Sequence, residues 1–159
     1  MTATITTLAE KKVIGIPMEM SYADYKAREL WQHFMPRRNE VQDRVGTDYF
    51  SIEVFSASYW DQFNPTATFQ KWAAVTVPHF DTIPAGMQSL VIPAGLYAVF
   101  IYKGDENGAP AFFEAIFTSW LPSSLYILDN RPHFEILGDK YKRGDTNSEE
   151  EVWIPIQLK

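Results

Sequence analysis

The order of the predicted elements restricts the fold more than any other feature, because one succession of a strand, a helix and two strands occurs twice. Alternating and β-branched segments predict the strands, and apolar residues spaced by three or four predict the helices. The first half has strands at 12–17, 49–55 and 72–77, with a helix from Ser21 through Phe34. The second half has strands at 89–92, 95–102, 133–137 and 151–158, with a helix at 110–121.

Echoes between the halves support a repeat of roughly 80 residues. A Trp and then a Pro close each helix, as Trp31 with Pro36 and Trp120 with Pro122. The pattern alone leaves open whether the halves are a true duplication. If they are, residues 1–159 form one α+β domain with an antiparallel sheet and two modules, at about 8–80 and about 86–159.

Alternation along the strands predicts two unlike sheet faces. We expect the apolar positions to face the helices: Phe50, Ile52, Val54, Phe134, Ile136, Val152, Ile154 and Ile156. The opposite face would then carry Tyr49, Ser51, Glu53, Trp72, His133, Glu135, Glu151 and Trp153. Aromatic rings stack on flat apolar molecules and attract cations, and a carboxylate supplies a counter-charge, so this face suits a ligand groove.

The same residues have an ordinary structural interpretation. Tryptophans on strands most often belong to the core, and strand glutamates most often face water. That interpretation is the stronger one for Glu53. It is weaker for Glu135 and Glu151, because each lies in an otherwise apolar strand.

Composition excludes several other chemistries. The absence of Cys removes thiol nucleophiles, disulfides and Cys-ligated zinc, and the three histidines lack paired spacing, so we expect no metal and no cofactor. The net charge of −6 and the lack of a basic run disfavour nucleic-acid binding. No secretory signal and no bilayer-length apolar stretch occurs, so we expect a cytoplasmic protein that does not enter membranes.

Several segments resemble the GyrI-like small-molecule-binding domain, the effector-binding module of AraC-type and MerR-type multidrug-responsive regulators. The resemblance rests on IPAGLYAVFIYKG (92–104), FEAIFTSWLPSS (113–124), LYILDNRPHFEIL (125–137) and EEEVWIPI (149–156), and spans nearly the whole chain. The first half contributes KVIGIPMEM, LWQHFMPRRNEV and FQKWAAVTV. After the WLP segment, family members commonly read SGY, whereas this chain has Ser123, Ser124, Leu125 and Tyr126.

The resemblance implies two strand-helix-strand-strand modules related by a pseudo-two-fold axis, with a ligand groove between them on the sheet face away from the helices. It also implies lipophilic, often cationic aromatic ligands, held by aromatic side chains and a buried Glu. The matching motifs place Glu135 and Glu151 in the acidic role and add Trp120 and Tyr126 to the candidate ligand-binding residues. Because the first predicted strand begins near Lys12, we expect a stand-alone module without a helix-turn-helix domain.

Two functions follow from the resemblance, and a third is permitted by the charge. The favoured one is binding of lipophilic, planar or cationic small molecules without chemistry. The alternative is hydrolysis of cyclopropane rings in genotoxic natural products, with Glu135 or Glu151 activating water. An acidic surface also permits, without indicating, a protein partner.

Overall fold

The computed structural model describes residues 1–159 as a nine-stranded antiparallel sheet with helices on one side. The strands are β1 Thr4–Leu8, β2 Lys11–Met20, β3 Tyr49–Val54, β4 Phe69–Val77, β5 Gln88–Ile92, β6 Gly95–Lys103, β7 Tyr126–Leu128, β8 His133–Leu137 and β9 Glu149–Leu158. The helices are α1 Ala27–Phe34, which continues as a 3₁₀ segment Met35–Glu40, and α2 Ala109–Ala115, which continues through a π-helical segment Ile116–Trp120 into α3 Leu121–Ser123.

The strand order reveals the internal symmetry of the sheet. The order is β1-β6-β9-β8-β3-β4-β2-β5, and β7 pairs with β9 outside this path. If β1 is exchanged with β5, β2 with β6, β3 with β8 and β4 with β9, the order reads the same backwards. The separation is 84 positions for the first residues of β1 and β5 (4 and 88), of β2 and β6 (11 and 95) and of β3 and β8 (49 and 133). The two modules are therefore related by a pseudo-two-fold axis between β3 and β8.

The connections force the sheet to curl. β1 and β2 are joined by two residues, although they stand first and seventh in the order. Strands at those positions in a flat sheet would lie about 29 Å apart, whereas Leu8 and Lys11 are three residues apart and reach at most about 11 Å. β5 and β6 are joined in the same way. The face without helices is therefore closed in upon itself.

Both faces of the sheet consequently form cores. On the helix side, α1 packs through Leu30 and Phe34 against Ala73 and Val75 of β4. A matching helix-side cluster joins Ile116 to β6 and β9. The helix-free face holds a third cluster that draws on both modules: Leu8, Val13, Phe50, Ile52, Trp72, Ala74, Ile92, Tyr97 and Phe134.

The alternation predicted for β3 and β8 is present, but the predicted direction of the faces is wrong. Phe50, Ile52 and Phe134 point away from the helices, into the helix-free core. The direction follows from the register: Ser51 pairs with both Ala73 and Glu135, and Ala73 packs under α1. The physical reason is that the curled sheet buries both faces, so an apolar position does not by itself identify the helix side. Val54 and Ile136 also pack on the helix-free side, whereas Val152, Ile154 and Ile156 face the helices as expected.

The predicted elements match the structure most closely in the strands of the second half. The strand at 133–137 is reproduced, and those at 89–92 and 95–102 are each one residue longer in the structure. The first helix begins later than predicted, at Ala27, because Ser21 Oγ accepts a hydrogen bond from the Asp24 amide within a separate turn. None of the helices combines the length and the hydropathy that a bilayer-crossing segment needs.

Candidate functional site

The pseudo-two-fold axis passes beside a pair of polar residues. Ser51 of β3 and Glu135 of β8 are 84 positions apart, so they occupy equivalent positions in the two modules. They also pair directly across the two strands. Both side chains are buried on the helix side of the sheet. The centre of the molecule therefore carries a serine from one module and a carboxyl group from the other.

A buried group of three charged side chains surrounds this centre. Lys71 Nζ lies 2.9 Å from Glu53 Oε2 and 3.8 Å from Glu135 Oε1. The Lys71, Glu53 and Glu135 side chains are 5%, 7% and 9% exposed. The register explains the contact, because Glu53 pairs with Lys71 of β4 on one side and with His133 of β8 on the other. We call Glu53, Lys71 and Glu135 the charge cluster.

Burial dominates the electrostatics of the charge cluster. It raises the pKa of Glu135 well above its usual value, and the negative charge of Glu53 and a hydrogen bond to Glu53 raise it further, against the opposing effect of Lys71. Burial alone would lower the pKa of Lys71, but Glu53, Tyr25 and Glu135 hold that pKa well above its usual value. No hydrogen-bond donor reaches Glu135 Oε2. The Glu135 carboxyl group is therefore protonated and neutral as long as no additional positive charge lies beside it.

Two tyrosines cover the charge cluster from the segment before α1. Tyr22 and Tyr25 stack with ring centroids 5.7 Å apart, and Lys71 Nζ lies 5.7 Å from the Tyr25 centroid. Burial is the main cause that raises the pKa of both phenols, and Glu53 raises it further. As whole residues, Tyr22 and Tyr25 are nevertheless 44% and 51% exposed. They form a thin aromatic cover with one side toward the charges and the other toward solvent.

A second aromatic group packs around His133, the strand neighbour of Glu53. Trp60, from the loop after β3, stacks on Phe117 of the π-helical segment at 4.5 Å and on His133 at 5.8 Å. Phe55 meets the His133 ring edge-on at 4.9 Å. Burial, assisted by Arg131, lowers the pKa of His133 to about 3, so the imidazole is neutral. The Trp60–Phe117 stack joins the first module to the second.

A cavity lies next to Trp60 and His133. It has a volume of about 410 Å³, and Phe55, Trp60, Tyr126, Arg131 and His133 are among its lining residues. A cavity of this size is at the lower end of the range for drug-sized ligands. Its lining residue His133 is the strand neighbour of Glu53 in the charge cluster.

The structure divides the sequence-predicted candidates into two groups. Ser51, Glu53, His133 and Glu135 lie together on the helix side, and Tyr126 lines the adjacent cavity. Tyr49 is on the same side but packs edge-on against Trp31 beneath α1, and Trp120 packs against Phe100 in the second-module core.

The remaining candidates lie behind the sheet, and the prediction that they share a face with Glu135 is wrong. Trp153 stacks on Phe134 at 5.2 Å in the helix-free core, and its Nε1 donates a hydrogen bond to Glu151. Trp72 is buried in that core, with its Nε1 bonded to Gln70. The register causes this, because Phe134 pairs with Trp153, and Ile52 pairs with Trp72.

Five residues of the site are missing from the sequence-based set: Tyr22, Tyr25, Trp60, Lys71 and Phe117. Lys71 had a detectable signal, because it lies two positions before Ala73 in an apolar strand. The others lie in turns or in a helix, where no strand periodicity marks them. No group of three or more His, Asp and Glu side chains has a geometry that could hold a metal ion.

Comparison with known proteins gives one family and a set of structural neighbours. The family model for the GyrI-like small molecule binding domain matches residues 1–157. The transcriptional regulator BrlR of Pseudomonas aeruginosa is 28% identical over 129 residues, which is 80% of this chain and 45% of that protein. The chain thus spans less than half the length of this curated relative.

Solved structures share the fold at low sequence identity. SAV2435 bound to tetraphenylphosphonium superposes with a TM-score of 0.72 at 18% identity, over 99% of this chain and 94% of the other. A hydrolase encoded by lin2189 of Listeria innocua gives a TM-score of 0.61 at 12% identity, over 98% and 91% of the two chains. These likenesses confirm the predicted α+β fold, and the fold alone.

Proposed function

Because this chain belongs to the GyrI-like small molecule binding domain family, we propose that it binds lipophilic, planar or cationic aromatic molecules over the charge cluster, between its two modules. The observation that carries the proposal is the imbalance of the cluster. Two carboxyl groups share one ammonium group, and Glu135 Oε2 has no donor within reach. An added cation would supply the missing positive charge.

The surroundings of the charge cluster favour an aromatic ligand. Tyr25 lies over Lys71 and stacks on Tyr22, and Trp60 and Phe117 stack beside His133, the strand neighbour of Glu53. A cation over an aromatic face gains about 2 kcal/mol when it is desolvated, and ring stacking adds to that. Because Tyr25 lies over Lys71 and stacks on Tyr22, we infer that the ligand displaces part of this cover or enters beside Trp60, which lines the adjacent cavity. The tetraphenylphosphonium bound to the structural neighbour SAV2435 is a ligand of this class.

A fluorescence titration tests the proposal. Tetraphenylphosphonium is expected to change the tryptophan emission of the wild type in a saturable way, because Trp60 lies at the site. Glu135→Gln keeps the shape of the neutral acid but cannot ionise, so we expect affinity to fall by about tenfold or more. Glu151→Gln is the matched control, because that carboxylate lies on the opposite face and bonds to Trp153.

The control is expected to bind within about twofold of the wild type, since a twofold change is below 0.5 kcal/mol. Flat emission across a panel of lipophilic cations would refute the proposal. So would Glu135→Gln binding as well as Glu151→Gln.

One observation favours hydrolysis as a second candidate. A buried carboxyl group with an oxygen free of donors can act as a general base once it is ionised. Because its pKa is raised, this candidate requires a pH at which part of Glu135 has lost its proton. In that reaction an ionised Glu135 would take a proton from water while the water oxygen attacks a cyclopropane carbon. The electron pair of the broken ring carbon–carbon bond would pass to the electron-accepting group conjugated with the ring, and Glu135 would return the proton to that group. Incubation with a cyclopropane-bearing alkylator should then give a product heavier by one water, and Glu135→Gln should abolish it. Product at the level of a protein-free control excludes this candidate.

We further propose that the described domain acts through its ligand rather than by touching nucleic acid. The net charge of −6 opposes contact with phosphates. A filter-binding assay with random duplex DNA should show no retention at moderate salt. A ligand-dependent protein partner is compatible with the same acidic surface.

A further inference from the structure

The geometry of the charge cluster points to a fixed charge capacity, by which we mean the number of positive charges that the cluster accepts from a ligand or a proton. We propose that Lys71 limits this capacity to one, and that the charge of a bound ligand replaces the proton of Glu135. The inference rests on the proposed function, because it concerns the cations bound there. It assigns Lys71 and Glu53 as specificity-determining residues that need not touch the ligand. Glu135 is the residue that the cation approaches.

Counting charges gives the capacity. Lys71 and Glu53 are 2.9 Å apart and neutralise each other, whereas Glu135 Oε1 lies 3.8 Å from the same ammonium group. All three side chains are less than one-tenth exposed. An uncompensated charge at such depth is strongly unfavourable, so the cluster stays close to neutral. One carboxylate therefore remains for either a proton or a monocation.

The surroundings of Glu135 contain no other cation that could take this role. The titratable groups that face it are the cluster members Glu53 and Lys71, the covering Tyr22 and Tyr25, the adjacent His133, and Glu150 of β9. The tyrosines and His133 are neutral, and Glu150 adds only negative potential. Without a ligand, the compensating charge for Glu135 is thus a proton, which is hydrogen-bonded to Glu53.

Binding is then an exchange. The neutral acid of Glu135 gives up its proton to solvent as the monocation arrives, and the carboxylate remains beside the cation. Charge is conserved within the cluster. At a pH where Glu135 is still neutral, up to one proton should be released for each cation bound, and affinity should rise with pH until Glu135 ionises unaided.

Three variants are expected to change the charge capacity of the cluster in different ways. Lys71→Met leaves two carboxyl groups and raises the capacity to two positive charges. Glu53→Gln leaves Glu135 paired with Lys71 and lowers the capacity to zero. The double variant Glu53→Gln with Lys71→Met restores a capacity of one. If Lys71 and Glu53 had only a structural role, adding Lys71→Met to Glu53→Gln would not restore binding of the monocation.

Two probes of nearly equal shape read out the capacity. N-methyl-4-phenylpyridinium carries one charge and N,N′-dimethyl-4,4′-bipyridinium carries two on the same two-ring frame. In calorimetric titrations we expect the wild type to prefer the monocation by about tenfold or more, and Lys71→Met to lose or invert that preference. Glu53→Gln should lose monocation affinity by a similar factor, and the double variant should regain most of it. Repeating the wild-type titration in buffers of different ionisation enthalpy measures the proton released.

The controls separate the failures. Lys12→Met removes the same charge from an exposed ion pair with Glu10 and should leave the preference unchanged. If Lys71→Met does not fold, the comparison of Glu53→Gln with the double variant still tests the proposed charge capacity. A double variant that also fails to bind the monocation refutes the inference. Equal binding of both probes by the wild type, or no proton release, also refutes it while leaving the proposed function standing. If neither probe nor tetraphenylphosphonium binds, the proposed function itself fails.

Discussion

The two faces of β3 and β8 serve opposite purposes. Ile52 and Phe134 pair across the strands on the helix-free face, and both are fully buried among aromatic rings. One position away, Ser51 and Glu135 pair on the helix side, beside a buried ammonium group. The first face stabilises the fold by removing apolar area from water, and the second costs desolvation free energy. A dense core directly behind the site therefore offsets the destabilising effect of the buried charges.

The largest expected effect lies on the apolar face. Phe134 contacts Phe50, Tyr97 and Trp153 at centroid distances of 5.5, 5.2 and 5.2 Å. Phe134→Ala should lower the free energy of unfolding by about 3–5 kcal/mol, because it opens a cavity that the sheet cannot collapse to fill. For a chain of this size, each kcal/mol lowers Tm by roughly 2–4 °C, so calorimetry should show a fall of about 6–20 °C.

Ser51→Ala, one position away on the other face, is the matched control for that substitution. It should change the free energy of unfolding by about 1 kcal/mol or less, since it removes one hydroxyl group. Equal losses for the two variants would contradict the division of roles between the faces.

An intermediate effect is expected from His133, and it depends on pH. Burial lowers the pKa of His133 to about 3 in the folded protein, whereas the unfolded value is 6.5. The unfolded chain therefore binds more protons below pH 6.5, and stability falls as pH falls through that value towards 3. At pH 5 the loss is about 2 kcal/mol relative to neutral pH. His133→Phe should remove this part of the acid destabilisation in denaturant titrations, and an unchanged pH slope would contradict it.

A smaller effect of opposite sign is expected from Glu150. Burial is the main cause that raises its pKa to about 7, so the folded protein binds the extra proton. Stability contributed by this group is present below its unfolded pKa of 4.5 and is lost as pH rises towards 7. Because the side chain is only half-buried, solvent screening keeps the effect below that of His133. Glu150→Gln should flatten the decline between these pH values, and a steeper decline would show that the sign is wrong.

The sequence predicted most of the strands, because alternation is a local signal, but it left the duplication open and did not identify β1 or β7. Alternation located β3 and β8 and correctly separated Phe50 and Ile52 from Ser51 and Glu53. It could not decide which set faces the helices, since that depends on β1 and β5 crossing to the opposite modules. This crossing depends on contacts between distant parts of the chain, so it cannot be predicted from the residue pattern of any short segment.

The candidate site was predicted in part for the same reason. Glu135 stood out as an acid in an apolar strand, and its burial agrees with that signal. Lys71 was missed because the strand was expected to begin at Trp72, whereas it begins at Phe69. Trp60 and Tyr22 come from irregular segments, where nothing in the local spacing indicates a neighbour on another strand.

The exchange of β1 and β5 has a mechanical consequence. Each half of the protein completes its sheet with a strand borrowed from the other, as in a domain swap within one chain. Hinge-like parting of the halves would break both of these ladders at once. A ligand must therefore enter by rotation of side chains and rearrangement of loops while the sheet stays intact. Its association rate should depend on those small motions rather than on separation of the two modules.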